Sequence, residues 1–412
     1  MVQAFSDARY SPLTGAPMSA AIVTGDSADM HSHMELRWYI DLMDGLSVDP
    51  AYASSTYQGV QAWAEATWAY RPGDPSGGAF GDYGFPTLPD LLSQAIAKPV
   101  DSVGLPAPWY AVYGNHDTLL LGTFNLSPQL HALAIGAQKS YALEGTAGMA
   151  LGGWAAATGI LQQAIDALGL AWGRPGFKEV AASPERYLFE QREFMAEHFN
   201  TQPAPGPVGH GFTQHNLDSG ETWWSADLSP NVRGFGLDTC NQVAGPDGGV
   251  PEVQFRWLEA QLQQAQAANK LALIFSHHNS LTLENKAQRF DDPQKLYGAE
   301  EFVAMLLKYP VVIGWLNGHT HLNQILAHSD GERGFWEITT ASCIDFPQQQ
   351  QVVEVVVAEL LEQSAVLLHL DAGQELVERH VLRRARLRLC HCDRRPVVVA
   401  CRRNGRQKRR PR

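Results

Sequence analysis

Cysteine is scarce: five residues in 412, an odd number, with three bunched at Cys390, Cys392 and Cys401. That excludes a disulfide framework, which needs paired thiols spread along a short chain. No uninterrupted apolar run approaches the roughly 20 residues that cross a bilayer, so no integral membrane segment is expected. Met1 to Tyr10 lacks the basic-then-apolar pattern of a secretory leader, and as written the chain reads as cytoplasmic. Charge is sparse too, 18% of residues against 45% apolar, which fits a folded globular chain and argues against a coiled coil or wholesale disorder. A Gly-x-Ser-x-Gly elbow, a P-loop and a complete dinucleotide fingerprint are all missing, which demotes serine acyl transfer, NTP hydrolysis and hydride transfer.

The net charge of −12 joins two unlike parts. From Arg379 to Arg412 there are fourteen basic residues and one acid, Asp393, so this tail carries +13 and the rest of the chain −25. A body that acidic repels backbone phosphates and is not a general nucleic-acid binder, although the tail alone could be one.

Along the body, helical and strand patterns alternate, as in a layered α/β domain. Glu35 to Asp44 reads as a helix, and a second is predicted from Ser183 to about Phe199, with Pro184 in its first turn. Phe255, Leu258 and Leu262 stripe a third between Val253 and Asn269, and Glu300 to Lys308 forms a fourth, stopped by Pro310. Four short apolar runs predict buried strands: Ala20 to Thr24, Trp109 to Tyr113, Leu271 to Phe275 and Val311 to Trp315. The Gly/Pro-rich connections Arg71 to Asp90, Thr201 to Thr213 and Ala244 to Pro251 are candidates for the rim of a site. Gly145 to Gly169 reads as a helical insertion.

Each of the four strands runs into a polar block: Gly25-Asp26, Gly114-Asn115-His116-Asp117, Ser276-His277-His278 and Gly318-His319-Thr320-His321. Strand C-termini are rigid, and side chains placed there project into a common crevice, the geometry that a metal centre needs. Asp, Asn and His together supply hard oxygen and borderline nitrogen donors, suited to Mn, Fe, Zn or Co. Singly these blocks are weak signals. Their value lies in the order and in the apolar strand before each one, since such groups cost desolvation unless they are used.

The ordered blocks resemble the calcineurin-like metallophosphoesterases, whose pattern is Asp-x-His, Gly-Asp, Gly-Asn-His-Asp/Glu, a strand-end His and Gly-His-x-His. Four of the five are present between Gly25 and His321. The text around them, including Glu35 to Gly45, Trp109 to Asp117 and Trp336 to Gln349, is similar to larger bacterial members, so the resemblance covers about residues 12–350. It implies a four-layer αββα sandwich over residues 1–350, with insertions around 46–108 and 120–215, and an atypical segment over 351–412. It further implies that Asp26 bridges two divalent transition-metal ions (Mn, Fe or Zn), that Asn115, His277 and His319 complete one shell, and that His321 serves the other. His116 would act as electrophile or general acid, with Asp117 orienting it, and His278 would play a supporting part. The implied reaction is hydrolysis of a small phosphate mono- or diester by a metal-activated hydroxide.

The opening Asp-x-His block has no counterpart before Gly25. Asp29-Met30-His31 matches its letters but follows the Gly-Asp block, and is read as coincidental. The first strand and ligands are therefore expected to be lacking, with a longer natural chain supplying them, and the second ion would be held weakly. In the tail, Val397 to Cys401 amid dense arginine reads as a shifted reading frame, ahead of a disordered basic arm or a zinc knuckle. Two further functions stay in competition: a catalytically impaired metal-binding scaffold, and a nuclease that holds nucleic acid on its tail.

Overall fold

The computed structural model describes all residues except 12–13, 67, 75–77, 120, 123–125, 141–176, 243–244, 289–292, 346–347, 361–362, 372–379, 383–396 and 403–412. The predicted insertion Gly145 to Gly169 and the cysteines Cys390 and Cys392 lie outside the described residues.

All four predicted strands form, as β1 (Ala20–Val23), β2 (Trp109–Ala111), β5 (Leu271–Phe275) and β6 (Val312–Asn317). Four strands that carry no continuous apolar run join the last two: β3 (Trp224–Ser229), β4 (Val232–Gly236), β7 (Gln324–Ser329) and β8 (Gly334–Thr339). C-terminal to these come β9 (Gln351–Leu360), β10 (Gln363–Asp371), β11 (His380–Leu382) and β12 (Val397–Arg402). They make two mixed six-stranded sheets, ordered β11-β10-β9-β12-β1-β2 and β7-β8-β6-β5-β4-β3. The strands that lead into the polar blocks are parallel neighbours: β1 with β2 in one sheet, β5 with β6 in the other. On its other side β1 pairs in parallel with β12, Ala20 opposite Val399.

Side chains on a strand point alternately to its two faces, and β5 uses both. Leu271, Leu273 and Phe275 join an apolar cluster that also contains Ala20, Ile22, Trp109 and Ala111 of the first sheet. Ala272 and Ile274 join a second cluster with Leu258 and Leu262 of one helix and Phe302 and Leu306 of another. Those helices are α3 (Glu252–Ala267) and α4 (Ala299–Leu307), close to the ranges the apolar stripes predict. The first predicted helix is α1 (His33–Asp44), closed by Gly45 in the left-handed conformation that glycine adopts without strain.

The helix predicted from Ser183 to Phe199 is broken. Pro184–Arg186 makes only a 3₁₀ turn, and the α-helix proper is α2, Gln191–Glu197. The cause is the buried Arg186, whose guanidinium donates to the carbonyls of Ala134 (3.0 Å), Ala181 (2.7 Å) and Gly136 (2.7 Å) and so fixes the chain in a loop. Leu188 then bridges to Ser32 in extended form. The Thr201 to Thr213 connection covers an open strand edge: Trp109 N–H donates to Gly206 O and Ala111 N–H to His210 O, along β2. No described helix is long and apolar enough to cross a membrane.

Candidate metal centre

Close backbone approach builds the site. Gly25 has φ +99°, and a Cβ on it would stand 2.5 Å from His277 Nδ1. A Cβ on Gly114 would collide with the main-chain nitrogen and Oδ1 of Asp26. Any side chain at either position would drive the blocks apart.

Four predicted ligands come together. His277 Nδ1 lies 2.7 Å from the carbonyl of Thr24, so it carries the proton and leaves Nε2 as a lone pair. That Nε2 is 2.7 Å from Asn115 Oδ1, 3.1 Å from His319 Nδ1 and 3.4 Å from Asp26 Oδ2. His319 Nδ1 is in turn 3.1 Å from Asn115 Oδ1. With the His319 proton on Nε2, these atoms face one another as lone pairs, an arrangement that a cation among them relieves. Donors bound to one ion at about 2.1 Å stand roughly 3.0–3.4 Å apart, the spacing of His319 from His277 and Asn115 and of Asp26 from His277, while the 2.7 Å between His277 and Asn115 is tighter. Burial pushes His319 down to about 4, with His277 adding to the effect, and this keeps its ring neutral as a ligand must be. Three of the residues expected in the site hold left-handed backbone: Asp26 (φ 58°), His319 (φ 67°) and His321 (φ 55°). Such conformations cost an L-residue energy and gather at functional sites.

The remaining candidates take other positions. His321 is half exposed, and its Nδ1 lies 2.5 Å from Asp345 Oδ2. His278 groups with His277 and His319, their ligand atoms within 4.8 Å. Both its nitrogens are engaged, however, Nδ1 with Thr239 Oγ1 at 2.8 Å and Nε2 with Pro246 O at 2.7 Å. Asp117 is fully buried and accepts from the backbone N–H groups of Asp26 (3.1 Å), Ala28 (2.8 Å) and Gly114 (2.9 Å). Burial pushes its carboxyl up to about 8, against donors that favour the charged form. Its visible work is to lock the Asp26 turn to the Gly114 turn.

The residue beside the His116 ring is Asp29, which the sequence reading set aside. His116 Nδ1 is 2.8 Å from Asp29 O and 3.4 Å from its Oδ1, while His116 N–H donates to Asp26 Oδ1 at 2.9 Å. The bond to Asp29 raises His116 to about 9 against the opposing effect of burial, and the charge on Asp26 helps. The spacing Gly-Asp-x-x-Asp is the signal that could have pointed to Asp29. His31 does not join the ligands: it is buried edge-on against Phe189 at 4.5 Å, and desolvation pushes it down to about 4.

Two supports lie behind the centre. The buried carboxylate of Glu337 accepts from Ser280 N–H (2.7 Å), Ser280 Oγ (2.6 Å) and Asn317 Nδ2 (2.9 Å), tying the loop after His277 to β6 and β8. The Ala244 to Pro251 connection reaches the rim, with Asp247 Oδ1 4.0 Å from His319 Nε2. The described contacts of Arg71 to Asp90 lie within its own neighbourhood, such as Leu88 N–H to Pro72 O.

No protein-family model matches the chain, and no curated protein matches it. Among solved structures, it is similar to a dimetal phosphatase from Danio rerio, with 17% identity, 48% of this chain and 68% of that chain covered, and a TM-score of 0.30.

Proposed function

We propose that the protein is a metal-dependent hydrolase of small phosphate esters, built as an αββα sandwich of the calcineurin-like kind. The observation that carries this reading is the convergence of Asn115, His277 and His319 within 2.7–3.1 Å, with Asp26 3.4 Å from His277 and His116 bonded to Asp29 alongside. Those four residues would hold one divalent cation, and His321, with Asp26, would serve a second. Bound there, such ions supply Lewis acidity that activates water and neutralises phosphoryl oxygens. His116 stands ready to donate its proton to the departing alkoxide, and Asp29 keeps it charged. Asp117 holds the turns that aim Asp26 and His116 at the same point. A scaffold with one metal and no turnover is the second reading, favoured by the contact of His321 with Asp345.

Metal content by mass spectrometry, measured together with hydrolysis of p-nitrophenyl phosphate and bis-p-nitrophenyl phosphate in added Mn²⁺, tests both. Nearly two ions per chain with turnover supports the hydrolase. One ion without turnover supports the scaffold. No bound ion, with Asp26→Asn and His319→Ala behaving as the parent, defeats both.

A further inference from the structure

Four elements meet at a buried cluster of ionisable side chains that the proposed chemistry does not use. His198 follows α2, His210 lies on the Thr201 to Thr213 connection, Asp44 ends α1 and Trp109 opens β2. Both imidazoles are fully buried, and their Nδ1 atoms stand 2.9 Å apart. A bond between two ring nitrogens needs one proton between them. His210 Nε2 faces Asp44 Oδ1 at 3.5 Å, and a carboxylate only accepts, so His210 carries its proton there and its Nδ1 receives the one on His198 Nδ1. His198 Nε2 is then a bare lone pair without a hydrogen-bond partner, among the rings of Phe194 (4.8 Å), Phe212 (5.6 Å) and Trp109 (5.6 Å). His210 in turn stacks on Trp109 at 3.6 Å.

The same residues anchor the connection. Gly209 N–H donates to His198 O at 3.0 Å, Ala111 N–H to His210 O at 3.0 Å, and Asp44 accepts from Thr201 Oγ1 and from Trp109 Nε1, the latter at 3.0 Å. One more proton upsets this arrangement: whichever ring carries the charge, His198 Nε2 becomes a buried N–H donor with no acceptor. Burial lowers both histidines from an ordinary 6.5, and the charge of Arg37 adds to it. Arg37 itself is fixed by Asp41 (2.9 Å) and Glu197 (2.6 Å). Burial would raise Asp44, but its bonds from His210, Thr201 and Trp109 win and lower it. A depressed folded value stabilises above the unfolded one, so the two histidines support the cluster at neutral pH and withdraw that support as pH falls below 6.5, with Asp44 following further down. We infer that the cluster is an acid-released latch: at neutral pH it holds the 201–213 connection over the edge of β2, and on acidification it lets that connection go while the two sheets stay folded. Release would bare the N–H groups of Trp109 and Ala111, a ready template for pairing with another strand.

Hydrogen exchange by mass spectrometry on the full chain between pH 7.5 and 4.5, with labelling times scaled for intrinsic rates, tests the inference. Peptides spanning residues 109–111 and 201–213 are expected to lose at least tenfold in protection below about pH 6 and to regain it on neutralisation, while those spanning β5 stay protected throughout. His198→Gln keeps an N–H donor for His210 Nδ1 but takes up no proton, and should move the transition at least one pH unit lower. Retained protection of both segments at pH 4.5, loss of protection in step with β5, or a transition unmoved in His198→Gln would overturn it. Should that variant fail to fold, the first two outcomes in the parent chain decide.

Discussion

Gly114 carries more of the site than its lack of a side chain suggests. Because a Cβ there collides with Asp26, Gly114→Ala should cut metal affinity at least tenfold while the far-ultraviolet circular dichroism spectrum stays that of the parent; undiminished metal content would contradict the close approach. Asp29 offers a cleaner separation of roles, since it touches His116 and no proposed ligand. Asp29→Asn should lower kcat roughly 10- to 100-fold with metal content and KM near those of the parent. A fall in bound metal instead would make Asp29 structural. The proposed ligands Asp26, Asn115, His277 and His319 stand out in the sequence because a strand and a nearby glycine or serine announce each one. Asp29 carried only the faint signal of its Gly-Asp-x-x-Asp spacing, because its partner lies 87 residues away and only the fold brings the two together. Nor did any letter in the chain announce the left-handed backbone at Asp26 and His319, which packing imposes.

Helices α1 and α2 are joined by Glu197, which meets Arg37 Nη1 at 2.6 Å and His33 Nε2 at 3.1 Å. Burial alone would raise this carboxyl, but those bonds win and lower it to about 2 from an ordinary 4.5. A depressed folded value stabilises above the unfolded one, so this contribution is full above pH 4.5 and is lost as pH falls towards 2. Glu197→Gln should cost about 1–3 kcal/mol at pH 7 and flatten the acid limb of the stability curve in that window, as urea titrations at several pH values would reveal. An unchanged acid limb would remove Glu197 as its source. In α4, Phe302 is fully buried, 5.0 Å from the Trp315 ring, and Phe302→Ala should cost about 3–5 kcal/mol in the same assay. These helices were legible because their apolar residues recur every third or fourth position. Strand β4 was not: Val232-Arg233-Gly234-Phe235-Gly236 owes its place to pairing with β5 over five residues, not to an apolar run. The false continuity from Ser183 to Phe199 has the opposite origin, good local helix signals overridden by Arg186 reaching distant carbonyls.

Across the whole molecule, the edge of β1 opposite β2 is taken by β12 in parallel pairing. Truncation after residue 378 should therefore lower Tm and promote self-association by exposing the edge of β1, visible by size-exclusion chromatography. A truncated chain as stable and monodisperse as the parent would show that β12 is dispensable. The sequence supplied the arginine density of this region but not the pairing, which joins residues nearly 380 positions apart. The proposed ligands come from both sheets, Asp26 and Asn115 after strands of one, His277 and His319 after strands of the other. An ion gripped by all four would then act as a rivet between two halves otherwise joined largely by greasy contact, so melting temperature should climb with Mn²⁺ concentration and drop when a chelator withdraws it.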